Sequence, residues 1–140
     1  MAKGTKIQGM IAVVAATVML FTSAVASQPV NTKYPNVDWN KAEANYVSNL
    51  TSDNLGIRQS AVNYLAEYQL KGALQPLIEV LKGDKVESVR MAAALALVTL
   101  GEDRGRKAVE EAAVYDGSDK VAKFCESLLD ASPQKYSSLN

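Results

Sequence analysis

Val89-Arg90-Met91-Ala92-Ala93-Ala94-Leu95-Ala96-Leu97 is the stretch on which the fold turns. It opens on a β-branched residue, carries a small residue four positions on and a leucine eight positions on. The same pattern stands upstream in Ile57-Arg58-Gln59-Ser60-Ala61-Val62-Asn63-Tyr64-Leu65 and, at an equal interval, downstream in Val121-Ala122-Lys123-Phe124-Cys125-Glu126-Ser127-Leu128-Leu129. Recurrence at a fixed period of this length marks helix pairs that stack into a solenoid, because one pair alone has nothing to bury its apolar face against. Such proteins work through a surface rather than a pocket, which favours binding or scaffolding over catalysis.

The helices follow on either side of that stretch. Asp38 is placed to cap a helix over 39–50, in which Trp39, Ala42, Tyr46 and Leu50 recur at helical spacing. Ser52-Asp53-Asn54 breaks it. A second helix over 55–68 carries Ile57, Ala61, Leu65 and Tyr68 on one apolar stripe, with Tyr64 beside it, and Lys71-Gly72 ends the pair. The next pair begins near Ala73 with Leu74, Leu77, Ile78 and Leu81, turns at Lys82-Gly83-Asp84-Lys85 and continues over 86–100. From Met91 that last helix is apolar nearly all round, the pattern of a helix buried on more than one side. Gly101 is its expected stop, at positive φ, and Glu102-Asp103-Arg104-Gly105 reads as a link. The third pair comprises helices over 106–114 and 120–131, joined at Asp116-Gly117-Ser118-Asp119 with Asp119 as cap. Its first helix offers only Ala108, Val109, Ala112 and Ala113, as befits a terminal repeat with one face in water. No strand-like alternation of useful length occurs. Residues 38–131 are therefore expected to form an all-α domain, a short right-handed α-solenoid of about three helical hairpins.

Residues 1–26 differ in kind. Lys3 and Lys6 precede an apolar run from Met10 to Phe21, and Ala24-Val25-Ala26 precedes Ser27. This is the pattern of a secretory signal peptide cut after Ala26, with Ala24 and Ala26 as the small residues before the cut and Ser27 as the new N-terminus. The competing reading is an uncleaved membrane anchor. Met10 to Ala26 barely reaches the ~17 to 25 residues of a spanning helix and contains Thr17, Thr22 and Ser23. Residues 27–37, with Pro29 and Pro35, read as an extended lead-in, and 132–140 as a polar tail. The expected location is periplasmic or secreted, with membrane contact only through an uncleaved leader.

Cleavage would leave about 114 residues, enough for one domain with a modest core. It would also remove Lys3 and Lys6, so that the basic residues fall slightly below the 15 acidic ones; the two signs are interspersed, without a basic stripe, which excludes a nucleic-acid binder. Cys125 is the only cysteine and occupies the repeat position of Ala61 and Ala93, so it is expected in the core. The chain has no histidine, which removes histidine acid–base chemistry, Cys–His and Ser–His–Asp constellations and Cys/His metal cages. Asp116-Gly117-Ser118-Asp119 lacks the spacing and terminal glutamate of a calcium loop. Glu102-Asp103 and Glu110-Glu111 read as solvated helix ends. No catalytic, cofactor-binding or metal-binding residue is assigned, and no cofactor is expected.

These residues resemble HEAT repeats, the short armadillo-like hairpins found in many scaffolds and in families related to phycobilin lyases. The best match is residues 84–101, where Asp84 in the turn, Val89-Arg90 and Ala92-Ala93-Ala94-Leu95-Ala96-Leu97 follow the family pattern. The resemblance covers about 39–131. It implies a structural ladder of aspartates and arginines between repeats, here involving Asp53, Arg58, Asp84 and Arg90. The first copy places Asp53 one residue nearer its arginine; the third keeps Asp116 but has Ala122 where arginine is expected, so the ladder should end there. Exposed pairs contribute only about 0.2–1 kcal/mol each, so the ladder is expected to set register more than total stability.

The candidate binding surface is the outward row of the second helices, Gln59, Asn63 and Glu67, then Met91, Leu95 and Thr99, then Lys123, Ser127 and Ala131. Its middle is apolar. Met91 and Leu95 are expected as a contact core, rimmed by Asn63, Glu67 and Lys123, suited to another protein or a peptide. The competing reading has neighbouring helices or a terminal tail covering them. Tyr64 and Tyr68 offer a second contact possibility, since aromatic residues often anchor interfaces, but their spacing also fits packing against the first helix and Trp39, which is the favoured reading. The expected function is an exported, non-catalytic scaffold or adaptor in the cell envelope. The alternatives are an accessory or lyase-like protein handling a chromophore, implied by the family alone, and a membrane-tethered adaptor.

Overall fold

The computed structural model describes residues 34–132. The leader with Ala24, Ala26 and Ser27, most of the lead-in and nearly all of the tail lie outside the described residues. Within them the chain is helical, with six α-helices and no strand: α1 Trp39–Asn49, α2 Leu55–Glu67, α3 Leu74–Gly83, α4 Glu87–Leu100, α5 Asp103–Tyr115 and α6 Asp119–Ala131. A single 3₁₀ turn, Lys71–Ala73, leads into α3. Successive helices pair as hairpins, α2, α4 and α6 pack side by side in one row, and α3 packs on α5 in the other. This is the three-hairpin helical solenoid that the sequence period implies.

The core is the repeat pattern made physical. Ala61, Ala93 and Cys125 are all buried, as are Leu65, Leu97, Val89 and Val121, while Leu77 and Leu81 of α3 meet them from the other row. Full burial of each large aliphatic side chain stabilises the fold by roughly 1.5–3 kcal/mol before chain entropy is set against it. Ile57 departs from its expected place: it is 44% exposed, although its counterparts Val89 and Val121 are fully buried. Those two belong to the one buried core cluster that runs through the stacked hairpins. Ile57 has no preceding repeat among the described residues, and α2 turns Arg58, Ala61, Val62 and Leu65 inward instead.

Helix ends show where local signals hold. Asp38 caps α1 through the Lys41 amide, and Asn54 caps α2 through those of Gly56 and Ile57. Gly101 closes α4 at φ 69°, as expected of a left-handed residue past a helix end. Gln69, one repeat earlier, adopts the same left-handed geometry at φ 54° without glycine's freedom. Two boundaries differ from the sequence reading. α5 starts at Asp103 rather than Arg106, because Glu102 is extended and its carbonyl accepts from the Arg106 amide at 3.0 Å. Gly105, which reads as a breaker, is instead buried inside the helix. A Cβ there would sit 3.2 Å from Leu74 Cδ1 and Leu97 Cδ2, so glycine permits the close approach of α5 to the second hairpin. Ser118, not Asp119, caps α6, its hydroxyl accepting from the Val121 amide.

Candidate functional site

Two features stand out where one hairpin meets the next: ion pairs between a helix and the following turn, and a groove between α2 and α4.

Arg58 of α2 donates to both carboxylate oxygens of Asp84, at 2.8 and 3.3 Å. Arg90 of α4 does the same to Asp116, at 2.9 Å each. Both rungs connect one repeat's helix to the next repeat's turn. Each arginine also donates to a carbonyl of its own turn at 2.8 Å, Arg58 to Ser52 and Arg90 to Asp84. The acceptor carboxylates brace their turns too, Asp84 taking the Val86 amide and Asp116 the Ser118 amide, both at 2.8 Å. The ladder therefore comprises Arg58, Asp84, Arg90 and Asp116.

Asp53 is not a member, and this corrects the sequence reading; it offers Arg58 only its backbone carbonyl, at 3.3 Å. The position equivalent to Asp84 in the first repeat is Ser52, whose hydroxyl accepts the Asn54 amide in the same way. One repeat forward from Asp84 stands Asp116, and one repeat back stands Ser52, so the register itself contains the answer. The rungs are also buried rather than exposed, with side chains 6% and 7% accessible in one and 14% and 7% in the other. In that setting the hydrogen bond from Arg90 holds the Asp116 carboxyl below its usual range against the opposing effect of burial, and the bond to Asp116 raises the Arg90 guanidinium. Losing one partner of such a pair costs far more than losing a surface pair.

The groove of about 310 Å³ lies between α2 and α4 and is lined by Asn63, Ala66, Glu67, Gln69, Ala92, Leu95, Ala96 and Thr99. Leu95 is 49% exposed in it. The structure thus brings together Leu95, Asn63 and Glu67 of the expected set. Met91 does not share Leu95's exposure: it is half-buried and packs against the core, which corrects its place in the contact centre. Lys123 is exposed on α6 but does not line the groove. The hydrogen bonding across the groove is not foreseen from the sequence. Gln69 spans the groove, its amide donating to the Ala66 and Thr99 carbonyls at 3.2 and 3.4 Å, and the Thr99 hydroxyl donates to the Leu95 carbonyl at 2.8 Å. Gln69 sits there in a left-handed backbone conformation, a geometry that a side chain's identity does not announce.

At the N-terminal end five rings form one cluster. Trp39 lies 4.9 Å from Tyr68, Tyr46 lies 5.2 Å from Tyr64, and Tyr34 meets both Trp39 and Tyr68. Tyr64 and Tyr68 therefore pack against α1 and Trp39, as read from sequence. Burial among these rings, with the Glu67 charge adjoining, raises the Tyr68 hydroxyl. Cys125 is buried, and that burial pushes its thiol up to about 11. Among the described residues, no cluster of metal-ligating side chains occurs, and no helix is long and apolar enough to cross a membrane.

A stack of helical hairpins tied turn to helix by arginine–aspartate rungs defines a helical-repeat protein. The family model of HEAT repeats matches residues 46–129, and the chain belongs to that family. HEAT repeats generally form scaffolds and commonly mediate protein–protein contacts. No curated protein and no solved structure matches the chain.

Proposed function

We propose that this chain is an exported, non-catalytic HEAT-repeat adaptor that holds a protein or peptide partner in the α2–α4 groove. The observation that carries the reading is Leu95, half exposed where the equivalent positions are Asn63 and Ser127. An apolar side chain set among Asn63, Glu67 and Thr99 has the layout of a small interface, with a greasy centre and a polar rim. Export to the periplasm or beyond rests on the pattern of residues 1–26.

Crosslinking from an envelope extract, with native protein beside Leu95→Glu, tests the groove. A partner retained by the native chain is expected to fall at least about tenfold in affinity with Leu95→Glu, since a half-buried leucine's transfer energy is lost and a charge is desolvated. Equal retention by a folded Leu95→Glu protein removes the groove from the function. Intact mass of the chain recovered from outside the cytoplasm tests export: a chain starting at Ser27 is expected, and a full-length membrane-bound chain replaces the exported adaptor with a tethered one.

A further inference from the structure

Within the stack, each second helix receives the one before it on a defined face. The α2–α4 groove has Ala66 and Asn63 on one wall and Ala92 and Ala96 on the other, so Ala92 and Ala96 mark the receiving face of α4. On α2 the equivalent residues are Ser60 and Tyr64, with Ile57 in the place of Val89. Among the described residues no preceding repeat covers them: Ile57 and Tyr64 are 44% and 41% exposed, whereas Val89 and Ala96 are 0% and 1%. Instead they border an open cleft of about 480 Å³ with Tyr46, Asn49 and Asn54. No residue lining that cleft is charged.

The geometry points to this cleft as a docking site for a helix of a partner protein, which extends the stack by one position. Its continuity with the interfaces already present carries the assignment, since α2 packs on α4 and α4 on α6, and the repeat position of Ile57 is fully buried on both receiving helices, at Val89 and Val121. Those donor helices present an apolar row at i and i+4, Val62 and Ala66 on α2 and Ala94 and Val98 on α4. The partner helix therefore carries a short row of small or β-branched apolar residues. It needs no charge at its contact face, because the cleft has none to pair and a buried lone charge is costly. A second copy of this chain does not fit: its available donor helix, α6, places Glu126 and Asp130 in that row.

Benzoylphenylalanine placed at Tyr64 of the full chain tests the proposal by photocrosslinking. The probe is a synthetic peptide copying Glu87–Leu100, stapled through the positions of Ala92 and Ala96, away from the donor row, so that helix formation does not limit binding. A second peptide carries Ala94→Glu and Val98→Asp, the charges that α6 bears. The expected result is saturable crosslinking to the first peptide, at least tenfold weaker for the second, and a similar loss in an Ile57→Glu protein whose circular dichroism is unchanged. If Ile57→Glu does not fold, Ser60→Glu takes its place. Equal labelling by both peptides, no labelling, adducts to the chain's own residues 1–33, or adducts between two copies each overturn it.

Discussion

At the C-terminal end, Glu126 stands where Val62 and Ala94 are buried, and Asp130 where Ala66 and Val98 pack. On α5, Arg106 and Glu110 replace Leu74 and Ile78 and pair with each other at 3.3 Å, and Arg106 also donates to the Ser132 carbonyl at the end of α6. The N-terminal end faces the opposite way chemically. Ile57, Tyr64 and Tyr34 are each around two-fifths exposed, and the cleft beside Ile57 and Tyr64 is neutral. A repeat array needs a polar outer face to stay soluble. One end has it through substituted charges, and the other through half-covered aromatic rings whose hydroxyls and faces suit both water and a partner. A terminal repeat is thus recognised by what replaces the apolar row, more than by weakness of the repeat pattern itself.

If the two ends are held to the middle of the stack by the same device, the ladder should show the largest effect. Arg58→Ala at the first rung and Arg90→Ala at the second should each destabilise by about 3–5 kcal/mol in urea unfolding, because a buried carboxylate is left without its partner. A loss below ~1 kcal/mol at either would show that rung to be solvated. Asp53→Ala should change stability by less than about 0.5 kcal/mol, as for an ordinary surface substitution. Next in size is Trp39→Ala, expected to cost roughly 2–3 kcal/mol, less than for a fully buried aromatic, with no matching ring cluster among the described residues of the C-terminal end. Thermal melts of this variant beside Val114→Ala, whose side chain is 69% exposed, separate the two ends; equal melting points would mean the ring cluster adds nothing.

Acid should act at the second rung. Hydrogen bonding holds Asp116 below its usual 3.8 in the folded chain, so its contribution is complete above that value and is lost as pH falls through the lower folded value. The melting temperature should therefore drop below about pH 4, and less steeply in Asp116→Asn. The smallest effect tests two helix ends: Gln69→Gly should stabilise by about 0.5 kcal/mol, relieving a left-handed non-glycine residue, whereas Gly101→Gln should destabilise by about 1 kcal/mol. If Gln69→Gly is destabilising, the amide bonds to Ala66 and Thr99 outweigh the backbone strain.

Much of this is legible in the chain because the period carries it. Val89 and Val121 announce buried positions, Gly101 its left-handed turn, and Cys125 a core slot shared with Ala61 and Ala93. The sequence misleads where a residue's neighbour, not its type, decides. Ile57 has the right side chain for a buried slot, but no preceding repeat covers it among the described residues. Met91 reads as no less free than Leu95, yet helix rotation turns it toward the core. Asp53 is the obvious acid in its turn, and only strict counting shows Ser52 to be the equivalent of Asp84. Gly105 carries the signature of a break and serves instead as a point of close contact.

Cys125 gives the last hairpin a built-in clock. Its thiol is sealed from solvent and kept protonated well into alkaline pH, so an added disulfide reagent reaches it only when α6 lifts away. With no second cysteine in the chain to confuse the signal, the modification rate under native conditions reads the free energy of the easiest opening that exposes that hairpin. Comparing it with the free energy of global unfolding tells whether the array comes apart from its charged end or all at once.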